Sequence, residues 1–133
     1  MNEKYVFDAI ALFYLQKTSL PLGLKTVRDK ILRRDATAII PTIAVSELLW
    51  KKRREGEDAF KKFQNAYQVW KQSDNILVDP FDESILDEMV ANETSSELHD
   101  EIIAMTCKKH GTNYVCSNDE KLLEFWNLQG IWD

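Results

Sequence analysis

Short apolar runs alternate with longer amphipathic stretches along this chain. Tyr5-Val6-Phe7 reads as a buried strand, and Ala9 to Leu15 as a helix with Ile10, Phe13 and Tyr14 on one side. Leu20-Pro21-Leu22-Gly23 reads as a break. Leu24, Val27 and Ile31 then recur at helical spacing up to Arg34, and Ala38-Ile39-Ile40 is a second strand closed by Pro41. Thr42 is placed to cap a helix carrying Val45, Leu48 and Leu49, which Gly56 ends. Ala59, Phe60, Phe63, Tyr67 and Trp70 mark another amphipathic helix. Ile76-Leu77-Val78, ended by Asp79-Pro80, is a third strand. Ile85, Leu86, Met89 and Val90 mark a helix. After a polar break from Asn92 to Ser96, Glu97 to His110 reads as a helix stopped by Gly111. Tyr114-Val115-Cys116 is a fourth strand, Lys121 to Phe125 a short helix, and Ile131-Trp132 a last strand.

Strands of three to five apolar residues alternating with helices predict an α/β fold: a parallel sheet of about five strands with helices on both faces. The 133 residues fit one domain spanning 1–133, and neither a repeat nor a linker divides them. In open sheets of this kind, ligands sit outside the carboxyl ends of the strands where strand order reverses. The side chains at those ends therefore carry the functional question.

They are carboxylates. Asp8 directly follows the first strand, Glu47 lies in the first turns of the helix after the second, and Asp100 begins the helix leading to the fourth. Asp119 follows the fourth strand across Ser117-Asn118. If strands one and four are neighbours, the four acids converge on one cleft. Like charges so placed repel, and a divalent cation is the usual compensation. Hard oxygen donors suit Mg²⁺ or Mn²⁺ rather than zinc. Each acid also has a plain structural reading. Asp8 can cap the helix at Ala9, Asp100 can answer a helix dipole, and Ser117 with Glu120 has capping-box spacing. Glu47 can be merely solvated. Four separate structural accounts are a less economical explanation than one site.

Composition narrows the classes. The chain is 44% hydrophobic with only four Gly and three Pro, which excludes disordered and low-complexity chains. No apolar run is long enough for a membrane helix, and the start of the chain lacks a signal-peptide pattern. Two cysteines, Cys107 and Cys116, make neither a disulfide framework nor a metal pattern, so the cytosol is the expected compartment. The net charge of −5 argues against a general nucleic-acid coat protein. It is unevenly spread: Lys51–Lys71 holds seven basic and three acidic residues, whereas Asp79–Glu101 holds nine acidic residues and neither Lys nor Arg.

Four segments together resemble a known family. Tyr5-Val6-Phe7-Asp8-Ala9, Thr42-Ile43-Ala44-Val45-Ser46-Glu47-Leu48, Leu98-His99-Asp100-Glu101-Ile102-Ile103-Ala104 and Tyr114-Val115-Cys116-Ser117-Asn118-Asp119 resemble the PIN domains, and specifically the VapC-type toxin ribonucleases. The family usually has Thr where Ser117 stands. The resemblance implies a five-stranded parallel sheet, a Mg²⁺- or Mn²⁺-dependent ribonuclease, and catalytic and metal-holding roles for Asp8, Glu47, Asp100 and Asp119. It also raises an antitoxin as partner. Glu97 or Glu101 is a further or alternative acid on the same helix.

The chemistry stands without the family. Phosphodiester hydrolysis needs an activated water and a neutralised phosphate, and bound divalent metal supplies both. Asp8 suits a central ligand, with Asp100 and Asp119 completing the set; Glu47 fits either metal binding or orientation of the water. Ser117 is a candidate donor to a ligand carboxylate. Lys51, Lys52, Arg53 and Arg54 follow Glu47 on its helix and are candidates for RNA phosphates. Trp50, Tyr67 and Trp70 can stack on bases but read better as core or interface residues, since Tyr67 and Trp70 share the apolar stripe with Phe60 and Phe63. His99 and His110 read as surface or structural residues. A receiver domain, an aspartyl phosphatase and a P-loop NTPase lack their required residues here. A non-catalytic RNA- or protein-binding module and a housekeeping RNA-processing nuclease remain as rivals. The stripe Phe60, Phe63, Tyr67, Trp70 and the set Phe13, Tyr14, Leu24, Val27, Ile31 predict surplus apolar surface, hence a homodimer.

Overall fold

A sheet whose strands are buried on both faces needs helices above and below it, and the described residues supply seven. The computed structural model describes residues 3–94 and 96–133. Met1, Asn2 and Ser95, the last within the expected break from Asn92 to Ser96, lie outside the described residues. The elements run β1 (Glu3–Phe7), α1 (Ala9–Tyr14), α2 (Leu22–Leu32), β2 (Ala36–Pro41), α3 (Thr42–Glu55) and α4 (Glu57–Gln72). They continue through β3 (Ile76–Asp79), α5 (Glu83–Ala91), α6 (Leu98–His110), β4 (Tyr114–Cys116), α7 (Glu120–Trp126) and β5 (Gln129–Ile131). The five strands pair in the order β3-β2-β1-β4-β5, all parallel.

Alternation along the strands splits the interior. Tyr5, Phe7, Ala38 and Ile40 face a core filled from α1 to α4, including Leu12, Leu24, Val27, Ala44, Leu48 and Phe63. Val6, Ile39 and Val115 face Ile103 and Cys107 of α6 and Leu122 of α7. Ile85 of α5 packs with Ile102, Ala104 and Met105 of α6. The basic stretch on α3 and α4 and the acidic stretch on α5 and α6 therefore belong to opposite faces of the sheet.

The expected elements are present, with local corrections at their ends. Thr42 is not a side-chain cap: α3 begins at Thr42 behind Pro41, and the Thr42 hydroxyl oxygen instead accepts a bond from the Phe81 N–H at 3.2 Å. Glu97 precedes α6 as its N-cap. Leu22 and Gly23, expected in a break, form the first turn of α2. Gly23 is there because the C-terminal backbone crosses it, with the Leu24 N–H donating to the Trp132 carbonyl at 3.0 Å. A Cβ on Gly23 would lie 2.8 Å from the Asp133 carbonyl oxygen. The expected surplus stripe is also used internally: Phe63 is buried, and Phe60, Tyr67 and Trp70 pack against the same core as Phe13 and Tyr14. Phe63 stacks on Tyr67 and meets Trp70 edge-on. Among the described residues, no helix is long and apolar enough to cross a membrane.

Helix propensity alone favours Ala over Gly by about 1 kcal/mol. The crossing at Gly23 reverses that sign. Gly23→Ala should lower stability by about 1 kcal/mol in denaturant titration, because backbone rather than a flexible side chain must move. An unchanged or raised midpoint would show that the C-terminal crossing yields freely.

Candidate functional site

β1 lies between β2 and β4, so the connections leaving β1 and β4 diverge at their carboxyl ends and open a cleft. Asp8 stands at that point. Its backbone N–H donates to the Cys116 carbonyl at 3.3 Å, joining the ends of β1 and β4. Its side chain caps α1, Oδ1 accepting from the Ala11 N–H at 2.9 Å. Asp119 is the N-cap of α7, its Oδ1 accepting from the Leu122 N–H at 3.3 Å. The capping role thus falls to Asp119 rather than to a Ser117–Glu120 box. Ser117 is buried beside both acids: its Oγ accepts from the Asp119 N–H at 3.0 Å, and its hydroxyl is near enough to Asp8 to favour the ionised carboxylate. Capping and site formation are not alternatives here, because the cap is what fixes each carboxylate.

α3 and α6 bring the other walls. Glu47 is exposed on α3, and Asp100 is half-buried in the first turn of α6. Glu97 caps α6, its Oε2 accepting from the N–H groups of His99 at 3.0 Å and Asp100 at 3.2 Å. Its Oε1 lies 2.9 Å from Nδ1 of His99, whose Nε2 is 3.7 Å from Oε1 of Glu47. Asp8, Glu47, Glu97, Asp100 and Asp119 line one cleft of about 420 Å³, with Ile10, Ile43, Ile103 and Leu122 as apolar walls. All four acids chosen from the sequence meet there. Glu97 joins them, whereas Glu101 is buried and does not line the cleft.

The electrostatics follow from this crowding. Burial is the main cause that raises the Asp8 carboxyl from 3.8 to about 6. The bonds from Ser117 and Ala11 pull it down, and the charges of Asp119 and Glu47 push it further up. Asp100 is raised by burial first, then by Asp119 and Glu97, with His99 opposing. For Glu97, burial pushes up, but its bonds from the His99 and Asp100 N–H groups and the His99 ring together hold it below its ordinary value. Neither Lys nor Arg is found among the described lining residues. An all-oxygen, anionic donor set with two carboxyls raised in its middle fits Mg²⁺ or Mn²⁺. Among the described residues, no three such side chains converge to coordination distance as they stand.

His99 is exposed, as expected of a surface residue, but its exposed ring lines the cleft. Glu97-Leu98-His99-Asp100 at a helix start was the available signal, since an N-cap two residues before a histidine can hold its ring. His110 is structural: its Nε2 lies 3.2 Å from Oδ1 of buried Asp79, which also pairs with Lys109. The basic run divides by helical angle. Lys52 shares a face with Leu48 and Val45; it is buried and bonds Glu55 at 3.2 Å, which corrects its expected exposure to RNA. Arg53 leans over Phe60, and Arg54 stacks on Trp50, which is 60% exposed.

The raised Asp8 carboxyl makes the metal-free protein sensitive to pH. It costs nothing below ~pH 4, where it is protonated both folded and unfolded, and its full penalty above ~pH 6–7, where it is ionised in both. Metal-free stability should therefore rise as pH falls from 7 to 5. Asp8→Asn keeps the cap and removes the charge, and should stabilise the metal-free fold at pH 7 by ~1–2 kcal/mol, a value reduced for the open cleft. Asp8→Ala also loses the cap and should gain less. Thermal melts in EDTA across this pH range measure both; a clear loss of stability in Asp8→Asn would make this carboxylate a net stabiliser.

The comparisons with known proteins agree with this architecture. The PIN domain family profile matches residues 5–125. FitAcB from Neisseria gonorrhoeae superimposes with a TM-score of 0.62 at 18% identity, covering 96% of each chain. VapBC2 from Rickettsia felis, solved with a DNA fragment from its promoter, gives 0.64 at 16% identity, covering 98% of this chain and 99% of that one. At these identities the likeness shows the fold. No curated protein sequence matches. With a family profile spanning nearly its whole length and the matching five-stranded parallel sheet, this chain belongs to the PIN domain family.

Proposed function

We propose that this chain, as one domain spanning 1–133, is a divalent-metal-dependent endoribonuclease and the toxin of a cytosolic toxin–antitoxin pair. One observation carries the reading: Asp8, Glu47, Asp100 and Asp119 line a single cleft at the strand-order reversal, with Glu97 beside them and neither Lys nor Arg among the described lining residues. In this reading Asp8, Asp100 and Asp119 hold Mg²⁺ or Mn²⁺, and Glu47 either joins them or orients the attacking water. When bound, the ion neutralises phosphate charge and supplies an activated water. The chain's own contribution is placement. Ser117 holds Asp8 and Asp119 in register, the α1 and α7 N-termini fix their carboxylates, and Glu97 holds the His99 ring toward Glu47. Lys51, Arg53 and Arg54 are the exposed cations on α3 that would meet RNA phosphates. The likeness to VapBC2 and FitAcB supports the toxin reading and an antitoxin partner.

The homodimer remains part of the proposal, on a different surface from the expected one. Leu86 and Val90, one turn apart on α5, are 46% and 79% exposed, and Phe81 just before them is 45% exposed.

Purified protein should cleave single-stranded RNA with Mg²⁺ or Mn²⁺ and not with EDTA. Asp8→Asn should reduce cleavage to background, and Ser117→Ala should lower it by ~10–100-fold through loss of carboxylate placement. Cleavage that persists in EDTA, or in Asp8→Asn, would sink the reading. Absence of any stabilisation by divalent ions would favour a non-catalytic binding module. Light scattering should find a species of about twice 15.5 kDa that Val90→Glu converts to monomer. A monomer across a tenfold dilution series would remove the dimer.

A further inference from the structure

α1 and α3 both start at the acidic cleft and pack against one another as they leave it. One to two turns along, the sign of charge reverses. Three ammonium groups gather around a single ring, that of Phe13: Lys17 at 4.8 Å from its centroid, Lys51 at 5.2 Å and Lys52 at 4.7 Å. Any two of them therefore lie within about one Debye length, ~10 Å, of each other. Only Lys52 has an answering carboxylate, Glu55. Among the described residues, Lys17 and Lys51 have none, and both are exposed. Lys17 is held in place by its own backbone, its N–H donating to the Tyr14 carbonyl at 2.9 Å. The ring's π-face steadies the cluster but does not neutralise it.

The surroundings identify the missing anion. Trp50, Lys51 and Arg54 follow Glu47 by three, four and seven residues, so all four share one exposed face of α3. Lys51 stands one turn, ~6 Å, from Glu47. An exposed indole beside unpaired cations is the chemistry of single-stranded nucleic acid, in which phosphates meet ammonium groups and bases meet aromatic faces. An acidic peptide would use the cations and leave Trp50 idle. We propose that Lys17 and Lys51, gathered on Phe13, hold an RNA phosphate flanking the scissile one, with the Trp50–Arg54 face taking a neighbouring base. This inference rests on the ribonuclease reading and adds Lys17, in the bend just after α1 and so on a different segment from the basic run, to the substrate surface.

The test measures binding separately from cleavage. Asp8→Asn protein in Mg²⁺ is titrated into a short 5′-fluorescein single-stranded RNA over a range of salt, followed by anisotropy. Lys17→Gln and Lys51→Gln in that background should each weaken binding several-fold and reduce the slope of log K against log salt by ~0.7, the loss of one phosphate contact. Lys25→Gln, which removes an exposed charge on α2, should change neither. Trp50→Ala should weaken binding without changing the slope. RNA binding by the parent with unchanged slopes in both lysine variants would overturn the proposal and leave the nuclease reading intact. A loss confined to a polyglutamate probe, with RNA binding unaffected, would overturn it in favour of a protein partner. No RNA binding by the parent, together with no cleavage by the wild type, would remove both.

Discussion

Everything at this site depends on holding several carboxylates at one place against their mutual repulsion. The strand order opens the space, since β1 and β4 are neighbours whose connections leave to opposite faces, α1 on one and α7 on the other. What fills the space is set by helix starts. Asp8, Glu97 and Asp119 are each an N-cap, so three acids are tied down by backbone N–H groups that a helix must satisfy anyway. The positive ends of α1, α6 and α7 offset part of the repulsion. The residue is visible in Asp8 and Asp100, whose carboxyls remain raised.

Charge is arranged on two scales. Locally, acids occupy the strand ends and cations begin one turn down α3, so the acidic cleft and an ammonium-bearing patch lie next to one another. Across the molecule, the basic α3–α4 pair is separated by the sheet from acidic α5 and the acidic first turn of α6. The hairpin of α3 and α4 turns on Gly56 alone, whose φ of 115° suits glycine and excludes most other residues. That single-residue connection keeps the basic surface attached rigidly to the helix bearing Glu47.

Much of this was legible in the sequence, for physical reasons. Buried parallel strands leave short apolar runs, and those runs located β1 to β4; β5, at Gln129–Ile131 rather than Ile131-Trp132, is an exposed edge strand without such a run. Acids at or near the ends of these runs and at the starts of the neighbouring helices located the cleft. What was not legible depended on angle and contact. Lys52 belongs to a run of four cations, but only helical phase shows that it points with Leu48 into the core. Gly23 looked like punctuation because nothing local reveals that the C-terminal backbone crosses it. His99 looked ordinary because its role depends on Glu97 acting as an N-cap and on α3 lying opposite. The aromatic stripe of α4 is apolar in the sequence, but its destination, the core rather than a partner, depends on how much surface α1 to α4 cover.

The pairing of β1 with β4 brings Val6 against Val115, across most of the chain. Asp100 and Asp119 both lie in the last third of the sequence, and Ser117, which ties Asp8 to Asp119, comes with them. A nascent chain can fold α1 through α4 onto β1, β2 and β3 while these residues are still unmade. The cleft cannot close until β4 has left the ribosome and inserted beside β1. On the proposed ribonuclease reading, the site stays unassembled until β4 is made, and the messenger and ribosome producing the chain are spared over that interval.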